Sequence, residues 1–199
     1  MFEIRMNSDH FHKRWTTVAE TRKPMGIETL LAKKKRAIVK DWLDMVVNTY
    51  APDTAKFLKG NLDPFSNPVG GALHSGLNGL YDQLVQGPEK EAVRTHLDPI
   101  VRIRAVQKFS PSQATAFVLA LKPVVRSHLR RELRDSQTAL ELRQFEDRVD
   151  SMSLFAFDIY MECREKLYDL KTNFERKGIR RAFQRAGLIE EAPEDESEP

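Results

Sequence analysis

Five histidines, one cysteine and a few charged residues set inside apolar runs are the positions at which this sequence offers chemistry. His10 and His12 stand near the start, and His74, His96 and His128 fall on three separate helical stretches. There is no His-x-x-x-His pair, no Cys–His pairing and no acid at ligand spacing. A protein metal centre needs three or four such donors converging, so no metal site is expected. One helical imidazole suffices as an axial haem ligand, which keeps a haem-binding or small-ligand-binding globin-like protein as the rival reading, although no cofactor is expected. Cys163 adjoins Arg164, with Lys166 close by. Cations beside a thiol favour the reactive thiolate of a redox sensor, whereas a helical seam position suits a small core residue, and the core residue is preferred. The chain has no Gly-Lys-Ser/Thr phosphate loop, no Gly-x-Ser-x-Gly elbow and no Gly-x-Gly-x-x-Gly after a strand. Nucleotide use and triad hydrolysis therefore lack support, and the chain reads as no enzyme.

Charged residues inside apolar runs are more informative. Asp158 is preceded by Leu154-Phe155-Ala156-Phe157 and followed by Ile159-Tyr160-Met161, while Arg102 and Arg104 interrupt the run from Ile100 to Val106. A carboxylate in apolar surroundings needs a partner. Arg102, Arg104, Gln107, Asp158 and Arg164 thus form a candidate polar set, either a ligand-binding pocket or a buried Asp–Arg clamp between helices. The clamp is expected, because buried ion pairs serve more often as architecture than as sites.

Helices must position these residues, since no segment alternates as a strand does. Leu30, Leu31, Ile38, Trp42, Leu43, Met45, Val46 and Tyr50 recur at helical spacing from Ile27 on, and Pro52 follows. A short helical piece over 53–59 leads into a breaker-rich structured loop, from which Asn67-Pro68 opens a helix to Val85. Gly70, Gly71, Gly76 and Gly79 in that helix make sense where another helix packs closely. A helix over 89–108, bent or restarted at Pro99, comes next. Ser110-Pro111-Ser112-Gln113 then opens a helix with Ala114, Phe117, Val118 and Leu121 on its apolar face and a kink at Pro123. The last helix is the longest: Leu142, Phe145, Val149, Met152, Ala156, Ile159 and Cys163 are three or four apart, and Leu167, Leu170 and Phe174 continue the stripe. It is expected to end at Gly178 after about 60 Å, at 1.5 Å per residue. That overshoots a small domain, so Leu167, Leu170 and Phe174 are the expected homodimer contact.

The 199 residues, 41% hydrophobic and 31% charged, suit one water-soluble globular domain. A net charge of +3 does not demand a nucleic-acid partner. Two basic runs, Lys33, Lys34, Lys35, Arg36 with Lys40, and Arg176, Lys177, Arg180, Arg181 with Arg185, read as solvated helix faces. One cysteine excludes an intrachain disulfide and fits a reducing compartment. Without a signal-peptide pattern or a membrane-spanning run, a cytoplasmic location without membrane insertion is expected. Residues 1–25 read as a flexible N-terminal extension, or as an upstream start with Met25 the true beginning. Residues 26–178 form the helical domain, and residues 179–199 a short amphipathic segment with Ile179, Phe183 and Leu188, then an acidic disordered tail.

Two stretches carry a family resemblance. The run from Arg102 through Lys108-Phe109-Ser110-Pro111 to Ala114, and that from Ala156 through Asp158 and Cys163 to Tyr168, closely resemble the N-terminal domain of RsbRD-type RsbT co-antagonist proteins. The loop Asp63-Pro64-Phe65-Ser66-Asn67-Pro68-Val69-Gly70 looks like a third signature. The resemblance spans residues 27–174. It implies an all-α, globin-like, haem-free input domain that dimerises, with a long last helix leading to a C-terminal STAS domain of the stressosome, a stress-response assembly. The sequence is expected to depart from that pattern, with no room for a STAS or kinase domain after the helix. Stand-alone relatives among sulfate-reducing bacteria lie close to genes of a sulfite-reduction membrane complex. The resemblance thus implies a cytoplasmic, non-enzymatic signal-transduction sensor or adaptor that regulates an unidentified protein partner.

Overall fold

A computed structural model of the chain describes residues 26–60, 66–107 and 109–186. Among these residues every regular element is helical: α1 (Gly26–Val47), α2 (Pro52–Gly60), α3 (Pro68–Gln86), α4 (Lys90–Val106), α5 (Pro111–Leu119), α6 (Leu121–His128), one 3-10 turn (Glu132–Arg134) and α7 (Ser136–Arg185). The all-α bundle with a long last helix is therefore present. The expected N-terminal extension, the acidic tail with Leu188, and Asp63, Pro64, Phe65 and Lys108 of the family stretches lie outside the described residues. The chain divides into one compact unit ending at Tyr160 and a second beginning at Met161, within α7.

In the first unit the apolar periodicity of each helix becomes its buried face. α1 buries Ile27, Leu31, Ile38, Trp42 and Val46, and α7 buries Leu142, Phe145, Val149, Met152, Ala156 and Ile159. Trp42 and Tyr81, two of the largest core residues, find backbone partners, as a buried indole or phenol usually does. The Trp42 indole N–H donates to the Phe117 carbonyl at 2.7 Å, and the Tyr81 hydroxyl donates to the Leu31 carbonyl at 3.0 Å.

Local chemistry sets the breaks. The Asn67 side chain accepts the Gly70 N–H at 2.8 Å and donates to the Phe57 and Leu58 carbonyls, so one buried amide starts α3 and satisfies the end of α2. Ser110 and Gln113 form a complete capping box on α5. Pro123 does more than kink a helix. Its ring conflicts with the carbonyl four residues back, that of Leu119, where α5 ends, and α6 restarts after Ala120. Pro99, by contrast, sits inside an unbroken α4. α3 and α4 approach closely because Gly76 lacks a Cβ: an added one would lie 2.7 Å from Ile100 Cδ1 and 2.9 Å from the His96 carbonyl oxygen.

The second unit is described over the remainder of α7. Contrary to the expected stop, the helix passes Gly178 and continues to Arg185. A glycine ends a helix by turning left-handed, and among the described glycines only Gly87, after α3, has a positive φ. Ile179 and Phe183 thus extend the same helix instead of forming a separate piece. Cys163 is buried, but no residue from Glu165 to Ala186 is.

Candidate functional site

Arg104 is the most unusual residue of the first unit. It ends the buried face of α4, four residues after Ile100 and seven after Leu97, and is itself wholly buried. Its Nη2 donates to the Thr49 hydroxyl at 3.0 Å and to the Gln113 carbonyl at 2.9 Å. Three aromatic rings surround it, with Cζ 4.3 Å from the Phe109 centroid, 5.2 Å from that of Tyr50 and 5.8 Å from that of Phe117. Tyr50 and Phe109 meet edge to face at 5.3 Å.

This cage holds a cation without a carboxylate. Cation–π contact and the carbonyl-rich ends of α1 and of α4 itself supply diffuse negative potential. They do not complete its hydrogen bonding: Arg104 Nε and Nη1 and the buried Tyr50 hydroxyl have no partner at ordinary hydrogen-bond geometry, the hydroxyl and the guanidinium interacting only loosely with each other. Burial pulls the Arg104 guanidinium below its ordinary pKa, with Tyr50 opposing the shift. Burial likewise pushes the Tyr50 phenol up, against the Arg104 charge.

The expected burial of Asp158 requires correction. Asp158 is exposed, because it lies beside and not on the stripe of Phe155, Ala156 and Ile159. Arg102 bonds Asp98, one turn earlier in its own helix, and Gln107 is exposed as the last cap of α4. Arg164, in the second unit, is half-buried with Cζ 5.3 Å from the Tyr168 ring. Of the candidate polar set, only Arg104 is fully enclosed. The surrounding Thr49, Tyr50, Phe109 and Phe117 escaped notice as a site, although the spacing of Leu97, Ile100 and Arg104 does place this arginine on the buried stripe.

Other charged residues tie the unit together. Glu141 accepts the Ile27 backbone N–H at 2.9 Å and so caps α1, while Glu146 takes Arg126 through two bonds of 2.6 Å. Lys34 reaches Glu132 and the His128 carbonyl, and Lys35 reaches Asp82, so the first basic run is not merely solvated. Among the described histidines, His74 is exposed, His96 packs on Gly79, and His128 Nε2 lies 2.8 Å from Asp41. Among the described residues no His, Cys, Asp and Glu group is placed to hold a metal ion, and no helix is long and apolar enough to cross a membrane.

A surface groove of about 620 Å³ runs beside α1, lined by Lys33, Arg36, Val39, Leu43, Lys59 and His74 among others. Arg104 does not line it. Comparison with curated proteins and with solved structures gives no match. Residues 36–172 match the family described as RsbT co-antagonist protein rsbRD N-terminal domain. That span takes in α1 from its third turn, the Arg104 cage and most of α7, so the chain belongs to the RsbT co-antagonist protein rsbRD N-terminal domain family.

Proposed function

We propose that this chain is a cytoplasmic sensor or adaptor, without catalysis of its own, that regulates a protein partner and works as a homodimer through the later part of α7. The family is one of signalling input domains, which supports the regulatory part of the reading. The observation that carries the rest is the exposure of large apolar side chains where α7 has no buried residue: Leu170 is 67% and Phe174 80% exposed. Leu167, Leu170 and Phe174 are three and four residues apart and share one helix face. Single exposed apolar residues are ordinary on a protein surface, but a stripe at seam spacing fits a second helix.

Light scattering on the purified chain, well above micromolar concentration, tests the dimer. A dimeric mass is expected for the wild type and a monomeric one for the Leu170→Glu, Phe174→Glu variant; a monomeric wild type refutes it. The regulatory part is tested by affinity capture from native lysate with both forms. A partner held by the wild type and lost or altered in the variant is expected, and absence of any reproducible protein partner counts against an adaptor.

A further inference from the structure

We propose that Arg104 and Tyr50 form the receptor for a small planar anion, a carboxylate or a trigonal oxoanion, and that this is the class of signal the domain reads. The inference rests on the sensor reading above and gives it a chemistry. Its starting point is incompleteness: a guanidinium with no exposed surface and, among the described residues, no carboxylate partner and two nitrogens without acceptors at hydrogen-bond distance. A charge buried in this way is costly unless something neutralises it and accepts its remaining N–H groups. The Tyr50 hydroxyl, a third unsatisfied polar group of the same cage, can donate to the same acceptor.

The walls define the ligand. Phe109, Tyr50 and Phe117 crowd the guanidinium, and the closest ring, Phe109, lies 4.3 Å from Cζ. Nη2 is already spent on Thr49 and Gln113. An acceptor must therefore come in at the edges of the guanidinium, where a thin, flat anion fits between aromatic faces better than a tetrahedral one. Aromatic surroundings of low polarity also strengthen each charge-assisted bond that the anion makes. No other charged group of the described residues bonds this arginine, so an anion would pair with it without displacing an ion pair. The donors are shut off from bulk water, so the surrounding side chains must yield on binding, and measurements belong at equilibrium.

Thermal melting of the full chain in sodium formate, acetate and nitrate, against sodium chloride at equal ionic strength, tests the proposal. At least one of these anions is expected to raise Tm by a few degrees, rising with the logarithm of its concentration above Kd, which chloride does not do. Tyr50→Phe is the decisive variant. It removes an unsatisfied hydroxyl and keeps the ring, so its Tm without anion stays at or above the wild type. The Kd fitted from its Tm against anion concentration should rise about tenfold or more, the loss of one hydrogen bond to a charged group. Arg104→Met is expected to abolish the shift, and should it not fold, Tyr50→Phe alone decides. A wild type that responds equally to all four salts, or a Tyr50→Phe variant that responds as the wild type does, overturns the anion site. Neither result touches the dimer mass or partner capture, so the sensor reading stands or falls separately.

Discussion

Arg102 and Arg104 are two residues apart, yet a helix turns about 200° between them, and their fates follow from that rotation. Arg104 falls on the stripe of Leu97 and Ile100 and is buried; Arg102 falls away from it and pairs with Asp98. The same rotation of about 200° separates Asp158 from the buried Ala156. Asp158 looked buried because its exposed neighbours Leu154 and Phe157 are themselves apolar, which blurs the two faces of α7. Period was legible in the sequence at this point, but hydrophobicity alone did not say which stripe faces the core. Asp158→Ala is accordingly expected to change stability by no more than about 0.5 kcal/mol, an ordinary surface value. Glu141→Ala should cost more, about 1–2 kcal/mol, because it strips the cap from the buried Ile27 N–H. Chemical denaturation of the two variants side by side checks the order, and an Asp158→Ala loss as large as that of Glu141→Ala would contradict it.

At the scale of elements, most helix starts could be read because they are local: Asn67, Ser110 and the prolines after them act within one turn. Stops were harder. Gly178 has the residue type of a helix stop but not the positive φ, and unlike Gly87, which Pro88 follows, it is followed by Ile179, which can continue the helix. The glycines of α3 were legible as a close-packing signal, and their neighbours grade the effect. A methyl group at Gly76 meets Ile100 and the His96 backbone, which cannot move without separating α3 from α4. At Gly79 it meets only the half-buried His96 ring, 2.5 Å away, which can swing outward. Gly76→Ala is thus expected to destabilise by about 1–3 kcal/mol through overpacking. Gly79→Ala should lose less, since alanine recovers up to about 1 kcal/mol of helix propensity. Melting curves that reverse this order would place the tight contact elsewhere.

For the whole molecule, charge sets the acid limit of stability. The Lys59 hydrogen bond holds the Asp44 carboxyl below its usual range, against burial and with help from Lys40. Lys34 does the same for Glu132, and the Thr138 backbone and side chain do so for Asp135. A carboxyl depressed in the folded state contributes stability above its unfolded pKa and loses it as pH falls through the folded value. Tm is therefore expected to be level from about pH 7 to pH 5 and to fall below about pH 4, the ordinary carboxylate range. A fall already complete at pH 5 would point to another group. The fold class and the family were legible at this scale because both rest on many residues at once. The Arg104 cage was not, because it joins Thr49 and Tyr50, Arg104 and Phe109, and Gln113 and Phe117 from three separate parts of the chain.

The bare stretch of α7 has a further consequence. From Glu165 to Ala186 no side chain is buried, so the helix there draws on propensity and on pairs such as Lys171 with Glu175, 3.8 Å apart, and Gly178 weakens it. Most helical stability in proteins comes from tertiary packing, so a helical segment that buries no side chain is prone to fray in water. Amide protons over this stretch should exchange with deuterium far sooner than those around Phe145 and Met152. If two chains cover Leu170 and Phe174, the exchange slows as the protein is concentrated, and that dependence on concentration disappears with the Leu170→Glu, Phe174→Glu variant.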